Sequence, residues 1–321
     1  MARILLKRHL ILVALLVGEV LLFNTISRVP LVSVSDFVAI VTQSAPVLFL
    51  AFGMTLVLMT AGIDLSVGSM VALIACAMAS FGGEDADSTF WITAVPCGLL
   101  FAIVLGSLNG LLIARFDMPP IIATLGTMIF FRGWSFVLLG DRERAPFGDV
   151  PGYDLLGEFF FVAIGLVCVY VVGGIFFARS RWRQEILLIG GNRIAGRYAG
   201  IRVGRRLWEV YTLVGGLAFL AALAFTSRNS SVNASALTGL ELKVIVAVVL
   251  GGTRVQGGSG SLVGSFLGVL IIAVLEEGLR GSALWGHEYL PFKIRHLEEV
   301  LLGLLLVTGV WLHSREREAM P

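Results

Sequence analysis

The chain has 321 residues, 57% of them hydrophobic and 14% charged, with a formal net charge of +2 and a mean hydropathy of +0.91. Charged residues make up about a quarter of an ordinary soluble domain, so this composition excludes a water-soluble globule and calls for a bilayer as solvent. The small net charge gives no footprint for a nucleic-acid partner.

A spanning helix needs about 20 apolar residues. Ten segments are predicted to span or enter the membrane: 9–27, 37–60, 66–81, 90–113, 119–139, 158–178, 208–226, 241–253, 261–278 and 297–313. The first follows Arg3, Lys7 and Arg8, but no small-residue cleavage site comes after it. It therefore reads as a retained helix, not a signal peptide. Glu19 inside it is expected to face other helices. The eighth segment is short and flanked by glycines, and reads as a broken or re-entrant element. The fold class is all-α: a polytopic membrane helix bundle, one transmembrane domain over 1–321. Of the 24 Lys and Arg, 15 fall in segments on the N-terminal side of the membrane. The loop 82–89 on the other side has none, which predicts that both termini are cytoplasmic. Cys76, Cys97 and Cys168 sit in apolar runs and read as buried packing residues. They offer no disulfide framework, and the four histidines offer no metal site.

Two segments interrupt sequence that is otherwise suited to hydrocarbon. In the first, GIDLSVGS, the residues Gly62, Asp64, Ser66 and Gly68 break the apolar run. Irregular backbone at membrane depth survives only where protein or a wet cavity satisfies its polar groups. These residues are therefore candidates for a helix break beside a pathway, with Asp64 read as a cap on the helix that follows. The second break, 249–268, begins at Gly251 and Gly252 and continues into Gly260, Gly264 and Gly268. Spacing of four makes the last three a small-residue stripe for close helix packing. No lysine follows at phosphate-loop spacing, so the segment does not read as a nucleotide site. The two breaks resemble one another weakly, Gly68-Ser69-Met70-Val71 against Gly260-Ser261-Leu262-Val263, as expected of a duplicated unit. Arg132 interrupts the fifth span and reads as a bundle-facing ion pair or a cavity wall, with Glu276 and Glu277 as partners to consider.

The basic loop holds LLIGGNRIAGRYAGIRV, 187–203. Asn192 is a good N-cap and Gly200 a good residue for the C-terminal turn. The short helix between them places Ile194 and Tyr198 on one face, with Ile201 just beyond, and Arg193 and Arg197 on another. A basic loop lying on anionic lipid needs no caps. The caps therefore favour a helix that docks in a groove on a soluble partner.

The stretches 62–69, 119–133 and 242–268, taken together and in order, resemble the permease subunit of bacterial ribose-type sugar ABC transporters. That family also includes rhamnose, xylose, arabinose, galactose and autoinducer-2 permeases. The segment 190–201 is similar to the family's cytoplasmic coupling segment, which implicates Gly191, Asn192, Arg193, Ile194, Ala195, Arg197, Tyr198, Gly200 and Ile201. The resemblance covers roughly 36–313. It implies a multi-pass protein of the bacterial inner membrane that forms the translocation path of a monosaccharide or autoinducer-2 importer. It also implies a second permease copy or sister chain, cytoplasmic ATPase subunits that bind the ATP, and a periplasmic sugar-binding protein. No cofactor, metal or catalytic residue is implied in this chain. Two departures stand out: Gly196 replaces an alanine of the coupling segment, and Glu276-Glu277-Gly278 replaces Asn-Asn-Gly. The alternatives are a self-sufficient secondary transporter or channel, which would need ion-coupling residues in mid-span, and a membrane-embedded enzyme, which lacks a catalytic constellation.

Overall fold

The computed structural model describes residues 2–26, 33–81, 88–281, 300–305 and 307–308. The helices are α1 (Ala2–Ile26), α2 (Val34–Met59), α3 (Val67–Phe81), α4 (Ala94–Arg115), α5 (Pro120–Leu139), α6 (Phe159–Leu166), α7 (Gly174–Arg179), α8 (Arg181–Gly191), α9 (Arg193–Tyr198), α10 (Val203–Asn229), α11 (Leu240–Leu250) and α12 (Leu262–Gly281). A π-helical segment, Val167–Gly173, joins α6 to α7, so 159–179 is one continuous span. Among the described residues, seven helical stretches are long and apolar enough to cross a membrane. The shorter α3 and α11 and the helical residues at 300–305 and 307–308 occupy the other predicted segments. Most of the loop 82–89, Gly309 and the ends of the tenth segment lie outside the described residues.

Helix α2 is apolar on all sides, and every residue from Ile40 to Met59 except Gln43 is buried. A helix hydrophobic all round belongs in the centre. A capping box starts it, with Ser33 accepting from the Asp36 N–H and the Asp36 carboxylate accepting from the Ser33 N–H. Helix α3 is buried from Val67 to Ala79. Around this pair, α10 packs on α4 and α2, α12 and α11 pack on α2, α5 packs on α3, and α1 lies on α12. Glu19 of α1 is partly buried. Cys76 is buried, but Cys97 and Cys168 are exposed. They sit on helices with one side turned away from the bundle, where an apolar side chain needs no protein neighbour.

Glycine determines how closely the helices meet. A Cβ on Gly215 of α10 would lie 2.3 Å from the Ala102 carbonyl, and one on Gly106 of α4 would lie 2.5 Å from the Tyr211 carbonyl. Gly98, Ala102, Gly106 and Gly110 recur every four residues on α4, so the α4–α10 pair uses a small-residue stripe. The predicted stripe on α12 is equally close. A Cβ on Gly264 would lie 2.0 Å from the Gly251 carbonyl, one on Gly268 2.1 Å from the Ala247 carbonyl, and one on Gly260 2.7 Å from the Met59 side chain. The closeness is that of α12 folding back on α11.

Gly264→Leu is expected to cost roughly 3 kcal/mol or more through overpacking and to abolish the yield of folded protein. Gly126→Leu, on a stretch of α5 where no atom lies within 4 Å, is expected to be tolerated. The check is monodisperse yield after detergent extraction. Equal yields would contradict the packing assignment.

Candidate helix breaks and coupling segment

Both breaks open with the same turn. At the end of α2, the Gly62 N–H donates to the Val57 carbonyl (3.1 Å) and the Ala61 N–H to the Leu58 carbonyl (2.9 Å). At the end of α11, the Thr253 N–H donates to Val248 (3.2 Å) and the Gly252 N–H to Val249 (2.9 Å). This paired closure satisfies the last carbonyls of a helix and needs a left-handed residue. Gly252 fills that position at φ +94° without strain, whereas Ala61 fills it at φ +59°, at a cost of about 1–2 kcal/mol. Glycine comes one residue later, at Gly62, because a Cβ there would lie 2.6 Å from the Tyr211 hydroxyl.

The two breaks touch. The Gly258 N–H donates to the Met59 carbonyl (3.0 Å), and a Cβ on Gly257, itself at φ +85°, would lie 2.7 Å from Ala61. Helix α1 braces the second break. Arg8 donates to the Gly252 carbonyl (3.2 Å), and His9 Nε2 and Ser261 Oγ form a 2.9 Å hydrogen bond. Behind them the Thr55 hydroxyl donates to Ser265 Oγ (2.7 Å), joining α2 to α12. The start of α1, the end of α2 and the 251–261 break thus share one end of the bundle.

Asp64 is fully buried. Its Oδ1 accepts from the Ser66 N–H (2.9 Å) and the Ser66 hydroxyl (2.6 Å). The helix begins one residue later than the cap reading needs, at Val67, and Asp64 supports the turn into it through a single N–H. Asn109 of α4 donates to Ser66 Oγ (2.7 Å), and the Thr127 hydroxyl of α5 donates to Asn109 Oδ1 (2.7 Å). Four side chains from three elements thus form one buried hydrogen-bonded run. Asp64 Oδ2 has no hydrogen-bond partner among the described residues.

Arg132 pairs with neither Glu276 nor Glu277. Its guanidinium donates to the carbonyls of Ala234 (2.7 Å) and Ala236 (2.8 Å), in the segment before α11. That segment runs along α3. Asn233 lies by Cys76, while Leu237 and Glu241 lie against Gly68, where a Cβ would meet the Glu241 carboxylate at 2.3 Å. Cys76 and Gly68 are eight residues apart on α3, about 12 Å at the helical rise. Arg132 therefore satisfies irregular backbone that descends beside α3. Glu276 instead pairs with Lys243 of α11, and Glu277 lies near Arg280.

Within the basic segment 179–207, helices α8 and α9 lie between the end of α7 and the start of α10. Asn192 caps α9, its Oδ1 accepting from the N–H groups of Ile194 (2.9 Å) and Ala195 (3.0 Å). At the other end Gly200 is at φ +77°, with Gly200 N–H donating to Arg197 and Ile201 N–H to Gly196. Ile194 and Tyr198 are 64% and 89% exposed, an apolar face that none of the described residues covers. Arg193 is half-buried and Arg197 exposed, while Ile201 packs against the core. Gly196 is buried, yet a Cβ there would meet only ordinary contacts, Ile189 at 3.7 Å and Val203 at 3.8 Å. Beneath them an ion-pair cluster joins α8 to α10, with Arg206 bridging Glu185 and Glu209. Among the described residues, no group of three His, Cys, Asp or Glu side chains could hold a metal ion.

A family model described as "Branched-chain amino acid transport system / permease component" matches residues 37–309. The chain belongs to this permease family. Over 235 residues it is 39% identical to the ribose import permease protein RbsC of Bacillus subtilis, covering 72% of each chain. It is 36% identical to RbsC of Escherichia coli K12 over 258 residues, 77% of this chain and 78% of that protein. With the autoinducer 2 import system permease protein LsrD of Photorhabdus luminescens it shares 32% identity over 315 residues, 93% of this chain and 89% of the other. No solved structure matches it.

Gly190, the first residue of the 190–201 segment, makes a contact that the motif does not indicate. In the last turn of α8, it is wedged where the breaks meet: a Cβ there would lie 1.8 Å from the Met59 carbonyl and 2.6 Å from the Gly258 nitrogen. Its neighbour Gly191 has nothing within 4 Å. The Gly-Gly pair was the available signal, but sequence alone could not tell which glycine carries the contact.

Gly190→Ala must displace the bond between Gly258 and Met59. It is expected to lower transport at least about tenfold, the equivalent of one lost hydrogen bond with its desolvation cost. Gly216→Ala, with no atom within 4 Å, should leave transport intact. Uptake into reconstituted vesicles is the readout, and normal uptake by Gly190→Ala would contradict the contact.

Proposed function

We propose that this permease is the membrane-spanning subunit of an ATP-driven importer of a monosaccharide or a related small polar solute, such as ribose, rhamnose or autoinducer-2. On this reading 1–321 is a single transmembrane domain in the bacterial inner membrane with both termini cytoplasmic. It pairs with a second copy or a sister permease, two soluble ATPase subunits dock from the cytoplasm, and an external sugar-binding protein delivers the solute. The chain is not an enzyme and holds no cofactor; the ATPase subunits bind the ATP. The family match and the ribose and autoinducer-2 relatives support import.

The observation that carries the reading is the arrangement at one end of the bundle. A short helix, capped at both ends, presents Ile194 and Tyr198 uncovered by any of the described residues. Gly190, in the turn before its N-cap, is locked against the junction of the two intramembrane breaks. A push on α9 reaches Met59 and Gly258 through α8, with no flexible linker between. The breaks carry the irregular backbone that can rearrange along a polar path, since each depends on a few specific hydrogen bonds in place of a continuous helical ladder.

Tyr198→Asp places an unpaired charge in the proposed ATPase interface, a change that costs several kcal/mol where the interface is packed. Uptake is expected to fall by more than about tenfold, with less ATPase subunit co-purifying and the permease itself still folded. Normal uptake with an intact complex would exclude α9 as the docking element.

A further inference from the structure

The span 159–179 packs on α2, and at its π-helical segment it leaves a trough beside α10. The trough has a volume of about 590 Å³. Phe52 forms its floor, Gly173 one wall, and Leu213 and Leu217 the other. Polar groups close it at one end only, where Trp182, Arg206 and Glu209 meet. Trp182 Nε1 donates to Glu209 Oε2 (3.1 Å), and Arg205 and Arg206 both bond to Glu209.

Charge at that end is one-sided. Glu209 is taken up by Arg205, Arg206 and Trp182, and Glu185 by Arg206. Arg179, Arg181 and Arg202 are exposed around the same end, and no carboxylate among the described residues forms an ion pair with them. A polar solute would find no hydrogen-bonding group along the walls. An acyl chain would match the walls, and a phosphate would match the rim of arginines. A tryptophan where apolar wall meets charged rim is placed as at a membrane interface.

We propose that this trough is a binding site for an anionic phospholipid, one acyl chain lying between the 159–179 span and α10 and the phosphate headgroup held by Arg181 and Arg202. The site is separate from the helix breaks and from the exposed face of α9, and it does not depend on which solute is carried. It gives the π-helical segment a role. The extra residue in the turn opens the wall at Gly173, and a regular helix with a larger side chain there would fill the trough.

The test uses the full-length permease, extracted in mild detergent and examined by native mass spectrometry, then by thermal unfolding with phosphatidylcholine vesicles that contain or lack phosphatidylglycerol. The wild type is expected to retain an anionic phospholipid and to unfold at a higher temperature when phosphatidylglycerol is present. Gly173→Leu should remove the bound lipid while the protein stays folded. A Cβ at that position meets Phe52 at no closer than 3.5 Å, and leucine favours helix over glycine. Leu213→Phe on the opposite wall is a second filling variant should the first fold poorly. The double variant Arg181→Ala, Arg202→Ala should bind phosphatidylglycerol about tenfold more weakly and lose its preference over phosphatidylcholine. The proposal is overturned if the filling variants keep the lipid, if the wild type shows no preference for anionic lipid, or if filling the trough abolishes self-association with lipid unchanged, which would make it a contact between two copies.

Discussion

The hydrogen bond from the Gly258 amide to the Met59 carbonyl is the contact on which this end of the bundle depends. Two helices stop inside the apolar core, and each leaves carbonyls and amides that lipid cannot satisfy. Each break closes its own last carbonyls with a left-handed turn, and the Met59 carbonyl is then met by the other break. Such an approach needs residues without side chains on the second break, where Gly257 faces Ala61 and Gly258 is left-handed, and another at Gly190 so that α8 can reach the same spot. Ala61 accepts a left-handed backbone in this junction, and the surrounding hydrogen bonds and packing hold it there.

The opposite end solves the same problem with a charge. The segment before α11 descends beside α3 with only isolated turn hydrogen bonds, from Ala236 N–H to Asn233 and from Leu240 N–H to Leu237, and Arg132 supplies two donors to its carbonyls. An arginine in the middle of a span is costly alone, but here its cost offsets that of two unsatisfied carbonyls. Among the described residues, one irregular region inside the bundle is held by glycine-permitted backbone contact and another by a guanidinium. On the proposed reading the first is moved by the ATPase subunits and the second lies nearer the side from which solute arrives.

Local signals were legible in the sequence because their physics is local. The caps at Asn192 and Gly200, the break at 62–69 and the stripe Gly260, Gly264, Gly268 each follow from residues within a few positions of one another. Signals that depend on tertiary partners were not legible. Charge alone points Arg132 to Glu276 and Glu277, yet its acceptors are neutral carbonyls, which no composition argument singles out. Glu276 was available for Lys243 because both sit on facing turns of α12 and α11. Asp64 looked like a helix cap from spacing, but the helix starts at Val67 and most of its neighbourhood comes from Ser66, Asn109 and Thr127, far apart in sequence. The stripe on α4 from Gly98 to Gly110 carries the same spacing signal as the one on α12. It lies inside an unbroken apolar span, where small residues fit lipid-facing and packed positions equally well.

The central claim is that motion at the docking helix reaches the junction of the two breaks through Gly190. Hydrogen exchange of the Gly258 amide, measured in the assembled transporter with and without ATP, addresses it most directly. That amide is bonded to Met59, so its protection reports whether the junction is closed. The account predicts that its exchange rate differs between the two states by about tenfold or more, the signature of a local opening equilibrium. An unchanged rate in a complex that hydrolyses ATP and transports solute would contradict it.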